Sequence, residues 1–317
     1  MKLCRTLLAT FAIILTALPA HADDYPSRPI TLIVPFAAGG ASDVIARVVA
    51  DEMGKHLGQR LINENIPGAG GTTALLRAAN AKPDGYTVAI GNAGTNAAAY
   101  TIYPDIKYKP DAFVPVVMIA KTSPLIAVKK DLPVKTLAEF IDYAKKNKGK
   151  VTLGHAGVGS SNYLICRSFV AAAGVDITLV GYRGGGPALN DLIGGQIDGV
   201  CDNGTSLAGA VENKQVNALV ASGTTRIASM PDVPTSAEAG LPNFQAQGWN
   251  ALFVPKGTPD DVIKKLNDAA RKALASDTVK KRFFDLAATE PAEDELTPDY
   301  LVKFVPAEIE KYKALLK

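Results

Sequence analysis

The sequence predicts an α/β protein of two lobes, each a mainly parallel sheet flanked by helices. Three observations carry this. The 317 residues fit about two domains at roughly 150 residues each. Short apolar, β-branched runs alternate with longer stretches of helical period, the pattern of layered α/β folds. The alternation comes in two sets with no Pro/Gly/Ser linker of useful length between them, so the lobes are joined at two or more points, a clamshell closing on hinges of a few residues.

In chain order, residues 31–36 read as a strand, 37–43 as a turn and 41–57 as a helix, with Val44, Ile45, Val48, Val49, Met53 and Leu57 on one broad face. A strand at 60–66, a loop at 67–71, a helix at 72–80 and a strand at 86–91 repeat the unit. The second set opens with a strand at 125–128 and a helix at 136–146 that Thr136 and Glu139 begin as a capping box. A strand at 151–153 leads through Gly154-His155-Ala156-Gly157-Val158-Gly159-Ser160-Ser161 into a helix to about residue 173. Strands at 177–182, 196–202 and 216–221 complete the set, with helices at 187–193 and 206–213 between them. From Gly223 the chain turns Pro- and Ser-rich, then gives an apolar run at 249–254 and helices at 259–275, 278–286 and from 298. Pro306 is expected to interrupt and kink the last of these. Crossings near 119–126 and 219–225 place residues 23–122 and 226–317 in the first lobe and 123–225 in the second.

Lys2 and Arg5, an almost wholly apolar run over 7–18 and Ala20-His21-Ala22 have the layout of a secretory signal over residues 1–22, cleaved after Ala22. The run is short of the ~20 residues a spanning helix needs, and Cys4 lies too early for a lipoprotein cysteine. Export to the periplasm follows, a compartment without a steady supply of NAD or ATP, which discounts nucleotide readings of the Gly-rich loops. Loss of Lys2 and Arg5, with no acidic residue lost, lowers the formal charge from +3 to +1. That is no electrostatic footprint of a nucleic-acid binder. Of the cysteines Cys166 and Cys201 remain; an oxidising compartment permits them to pair, and two separate buried thiols would serve as well.

Two loops are candidates for chemistry. Ala37-Ala38-Gly39-Gly40-Ala41-Ser42-Asp43 joins a strand's carboxyl end to a helix N-terminus, where unpaired N–H groups and the helix dipole favour an anion. A plain strand-to-helix turn capped by Ser42 or Asp43 would look the same. The stretch from Gly154 to Ser161 holds the same position in the second set. One such loop from each lobe, outside the carboxyl ends of the strands, makes an anion-receptive cleft. Competing motifs fail: the Gly spacing at 68–71 is not that of a dinucleotide loop, and neither a phosphate-loop motif nor a G-x-S-x-G elbow occurs. His155 reads as a loop residue bonded to backbone, His56 as a residue at a helix end, and no metal-ligand spacing is present.

Tyr25-Pro26-Ser27-Arg28-Pro29-Ile30, Val34-Pro35-Phe36 with the loop that follows, Tyr182-Arg183-Gly184-Gly185-Gly186-Pro187-Ala188-Leu189, Met230-Pro231-Asp232-Val233-Pro234-Thr235 and Pro255-Lys256-Gly257-Thr258-Pro259 resemble the signatures of the Bug/TctC family, the extracytoplasmic solute receptors of tripartite tricarboxylate transporters. The resemblance runs over essentially the whole chain from Tyr25. It implies a type II-like, two-lobe periplasmic binding protein, monomeric and without cofactor or metal. Such a receptor closes on a small carboxylate and delivers it to a membrane permease of large and small subunits. By matching positions it nominates Ala38, Gly39, Gly40, Asp43, Gly157, Gly159, Ser160 and Asp202 around one ligand carboxylate, with the two aspartates holding water or loop backbone rather than the anion. His155-Ala156 departs from the family's usual small polar pair, and a Cys166–Cys201 disulfide would be particular to this chain.

Ser160 and Ser161, which end the second loop, offer hydroxyl and N–H donors to a carboxylate, and the far end of the ligand is expected to meet Phe36, Asn92, Thr95, Asn96, Tyr163 and Trp249. Asn and Thr suit a second carboxylate, the aromatics a ring, so a C4 to C6 dicarboxylate comes first and an aromatic carboxylate second. Two rival readings stand beside a transport receptor: a sensory receptor presenting its closed form to a membrane kinase, and a secreted hydrolase using Ser160.

Overall fold

The computed structural model describes residues 25–316, so the signal expected over 1–22, the cleavage expected after Ala22 and Cys4 lie outside the described residues. The chain runs β1 (Ile30–Val34), α1 (Ala41–Leu57), β2 (Leu61–Asn65), α2 (Thr72–Ala79), β3 (Thr87–Asn92), α3 (Ala99–Ile102) and β4 (Phe113–Thr122). It continues through β5 (Pro124–Lys129), α4 (Leu137–Lys146), β6 (Thr152–His155), α5 (Ser161–Ala173), β7 (Thr178–Gly181), α6 (Gly185–Ile193), β8 (Gly199–Asn203), α7 (Gly204–Glu212) and β9 (Val216–Ala221). It ends with β10 (Gly248–Pro255), α8 (Asp260–Ala275), α9 (Asp277–Asp285), β11 (Ala288–Thr289) and α10 (Pro298–Leu315).

Two sheets result, ordered β11-β4-β10-β3-β1-β2 and β7-β6-β8-β5-β9. Strand alternation sorts side chains to opposite faces. Ile30, Leu32 and Val34 meet Ile45, Val49 and Met53 of α1, while Ile33 faces Ala74, Leu75 and Ala78 of α2. In the second lobe Leu153 and Cys201 pack on Ile165 and Phe169 of α5, and Val200 on Ala188, Leu192 and Leu207.

The sheets are mixed, not mainly parallel. β1 pairs parallel with β2 and β3, and β6 with β7 and β8. β10 runs antiparallel to β3 and β4, β11 to β4, and β5 to both β8 and β9. The reason is the crossing. The βαβ strands of each lobe point their carboxyl ends at the cleft, so a chain arriving from the other lobe enters with its amino end there. β5, one residue after β4, and β10 are the two arriving strands.

The lobe boundary also moves. Ile227, Met230 and Val233 pack in one core of the second lobe and Leu241 and Phe244 in the other, with Phe244 edge-on to Phe169 at 5.6 Å. Residues 226–246 thus belong to the second lobe, and the chain returns near Gly248, beyond the expected 219–225. Helix starts follow the sequence: Thr136 and Glu139 form the reciprocal capping box of α4. α10 continues through Pro306 without interruption, because that residue lies on the solvent side, where water satisfies the carbonyl its ring leaves unpaired. Among the described residues no helix is long and apolar enough to cross a membrane.

Candidate ligand-binding site

The two loops singled out above both line one cavity at the lobe interface, the first meeting the Arg183–Gly186 run and the second meeting Gly70, Asn92 and Tyr103, and the lobes are shut on one another. Ala37 N–H donates to the Arg183 carbonyl (3.1 Å). Tyr103 donates its hydroxyl to the Val158 carbonyl (2.5 Å), Ser161 Oγ donates to Asn92 Oδ1 (3.1 Å), and Thr122 Oγ1 to Asn203 Oδ1 (2.7 Å). Glycines make this approach possible. A Cβ on Gly184 would sit 2.9 Å from Ala37 N, one on Gly40 3.3 Å from Gly185 N, and one on Gly186 would collide with the Ala38 carbonyl oxygen.

Between the loops lies a cavity of about 20 Å³, close to the space of a single water. From the first lobe Phe36, Gly40, Ala41, Ser42 and Asn92 line it, with Trp249 and Asn250 of β10. The second lobe contributes Ala156, Ser161, Asn162, Gly185, Asp202 and Asn203. α1 and α5 both start here. Gly40, the N-cap of α1, offers no side-chain cap, so the first N–H groups of that helix remain for a ligand anion. Ser42 Oγ donates to Asn250 Oδ1 (2.8 Å). Asn92 Oδ1 also accepts from the N–H groups of Gly94 (2.9 Å) and Thr95 (3.1 Å), which fixes its amide.

Of the nominated residues, Phe36, Gly40, Asn92, Ser161, Asp202 and Trp249 reach this cavity. Ala38 and Gly39 instead form the loop that touches Gly186. Asp43 is a brace: it accepts from Arg47 Nε and Nη2 (both 3.0 Å), Asn65 Nδ2 (2.9 Å) and Gly39 N–H (3.0 Å). Burial pulls its pKa up, but these donors outweigh it and hold the carboxyl below the ordinary range. Thr95 and Asn96 sit behind Asn92, joined by a hydrogen bond of 2.8 Å. Gly157 and Gly159 shape the second loop at φ 104° and 80°. Tyr163 packs on the His155 ring at 5.1 Å. Trp249 is one wall, its Nε1–H donating to Glu308 (3.0 Å) and its ring edge-on to Phe304.

Ser160 caps α5. It accepts from Tyr163 N–H (3.1 Å) and donates to the Gly157 carbonyl (2.6 Å). His155 Nδ1 accepts from Gly157 N–H (3.1 Å), and burial lowers its pKa. Nucleophile and base are each bound to backbone and not to each other, which removes the hydrolase geometry. Asp202 is of the opposite kind to Asp43. Burial pushes its pKa up to about 6, against the hydrogen bond from Asn203 N–H and the pull of the neighbouring Ser206 and Asn162 side chains. One residue away, Cys201 is bonded to Cys166 of α5 with Cα atoms 5.3 Å apart, tying β8 to the helix that presents Ser161 and Asn162.

Reasoning from the sequence missed Ser42, Thr122, Asn162, Asn203, Asn250 and the run Gly184-Gly185-Gly186. Most lie one residue from a nominated position. The glycine run had a readable signal, since it follows a strand's carboxyl end as both nominated loops do.

Two lobes shut on a small polar chamber between them have the architecture of a two-lobe binding protein. The family follows from comparison. The model of the TctC family, the tripartite tricarboxylate transporter family receptor, matches residues 45–317, and the chain belongs to that family. It is 42% identical over 290 residues to a UPF0065 protein of Agrobacterium vitis, covering 91% of this chain and 84% of that one. It superposes on MatC of Rhodopseudomonas palustris, solved with bound malate, with TM-score 0.88 and 39% identity over 92% of this chain and 100% of that one. Periplasmic binding protein BugD gives TM-score 0.88 and 34% identity, and an R. palustris protein solved with adipate gives 0.87 and 32%, each over 92% of this chain and 97% of the other. The family is one of receptors, and the chain is a receptor rather than an enzyme.

Proposed function

We propose that this receptor, exported by means of residues 1–22, captures a C4 to C6 dicarboxylate in the periplasm. It then delivers the ligand to the large and small permease subunits of a tripartite tricarboxylate transporter. One observation carries the reading: two helix starts, α1 and α5, converge from opposite lobes on one polar cavity. One carboxylate is held by their free N–H groups with Ser42, Asn92, Ser161, Asn203 and Asn250. Malate and adipate in the similar structures support this ligand class. The anchoring of Trp249 to Glu308 and Phe304 makes it a wall rather than a ring platform, which favours the dicarboxylate over an aromatic acid. A cavity of about 20 Å³ admits such a molecule only after the lobes part, with the hinges at Ser123 and near Gly248.

Thermal unfolding with succinate, malate, adipate, citrate and benzoate tests this. Dicarboxylates are expected to raise Tm with the logarithm of their concentration. Gly186→Ala, whose new methyl collides with the Ala38 carbonyl when the lobes are shut, is expected to lose most of the shift. No shift with any of the acids overturns the reading.

A further inference from the structure

Asp202 is the only ionisable side chain among the described residues lining the cavity, and no Lys, Arg or His accompanies it there. It is 2% exposed and accepts from Asn203 N–H at 2.7 Å, with the neutral Ser206 and Asn162 side chains beside it; the Ser206 hydroxyl itself donates to the Asn203 carbonyl. The charged groups on the surrounding elements are engaged elsewhere or remote. Lys129 of β5 pairs with Asp198 at 2.7 Å, and His155 of β6 is bound to Gly157. Arg167 of α5 is exposed and bonded to Tyr163, Asp191 of α6 takes the Tyr182 hydroxyl, and Glu212 is the last residue of α7. Across the cleft Asp43 is paired with Arg47; Arg183 is exposed and lines a separate surface pocket with Gly70 and Tyr103.

Resting on the carboxylate reading above, a ligand brings a second negative charge beside Asp202 into a closed site without a cation. Two carboxylates so placed do not both stay ionised. We propose that the receptor takes up one proton with its ligand, held on Asp202, whose O–H then donates to the ligand carboxylate. The proton comes from bulk water on closure and returns there on release, so the loaded site carries the ligand's charge alone.

Burial already raises this carboxyl in the closed form, and a neighbouring carboxylate raises it further. The loaded form therefore binds more protons than the open one. Affinity is full below the open-form pKa, falls by up to about tenfold per pH unit as pH rises towards the loaded-form pKa, and levels off above it.

The test is calorimetric titration at pH 7.5 with malate, succinate, adipate and benzoate as probes, in phosphate and in Tris, whose ionisation enthalpies differ. Wild type is expected to show uptake approaching one proton per ligand. Asp202→Asn, whose amide donates at every pH, is expected to abolish the uptake and to bind more than about tenfold tighter than wild type at pH 8, with the gap narrowing steadily towards pH 5.5. Binding without proton uptake overturns this inference and leaves the receptor reading intact. Uptake that persists in Asp202→Asn places the proton on the ligand and overturns the role of Asp202, as does weaker binding by the variant at every pH. No binding of any probe overturns both readings. The wild-type buffer dependence decides the question if the variant fails to fold.

Discussion

Asp43 in the first lobe and Asp202 in the second are equally buried, each 2% exposed, yet their carboxyls are driven in opposite directions. Asp43 stands beside a guanidinium and is held ionised. Asp202 has only neutral donors and is lifted. Burial alone thus does not set the charge of a buried acid; the partner does. The two half-sites are built accordingly. The first is braced by an ion pair behind a loop whose helix start is left open at Gly40. The second is held by a side-chain cap, a disulfide and uncharged hydrogen bonds.

Breaking these braces ranks them. Replacing Cys166 and Cys201 together by Ala is expected to cost about 3–4 kcal/mol, the loop-closure entropy of a 35-residue separation, with urea unfolding as the measure. A loss no larger than that of a single surface substitution would mean the covalent tie is redundant. Asp43→Asn is expected to cost about 2 kcal/mol near neutral pH, since charge-assisted hydrogen bonds from Arg47 are lost. Its pH dependence carries a sign. A depressed carboxyl stabilises above its unfolded pKa, near 4, and loses that contribution as pH falls through the folded value, so the gap to wild type should close in acid. The sign reverses for Asp202. Its stability contribution is complete below about pH 4 and is lost as pH rises through about 6, so Asp202→Asn should gain stability above that pH and little below pH 4. Parallel pH profiles for the two variants would abolish the contrast. Ser160→Ala is the mildest change, about 1 kcal/mol for the lost cap, with the α1 half-site unaffected.

Much of this was legible in the residues. Helical spacing located α1, and Thr136 with Glu139 located the start of α4, because periodicity and capping are local. Direction is not local: nothing in Leu125-Ile126-Ala127-Val128 tells that the strand runs against its neighbours, since that depends on which side of the cleft the chain enters from. In the sequence the segment 226–246 falls in the first lobe, because the crossing reads at 219–225, where the chain turns Pro- and Ser-rich from Gly223. Its apolar residues, irregularly spaced at Ile227, Met230, Val233, Leu241 and Phe244, carry no period. At the site, the glycine loops at 37–40 and 157–161 were readable. The run Gly184-Gly185-Gly186 carried the same positional signal, after a strand's carboxyl end, but its role, leaving room for the backbone of the other lobe, is visible only once the lobes are brought together.

The antiparallel entry of β10 also sets an order of assembly. β10 lies in the interior of the first sheet, between β3 and β4, but follows in the chain only after the whole second lobe. Residues 124–246, by contrast, form the second lobe without interruption and contain both cysteines. As the chain emerges from its amino end, the second lobe can complete its sheet and close its disulfide while the first still lacks an inner strand. The amino-terminal lobe is the later one to finish, and the ligand cleft is the last part of the molecule to come into being.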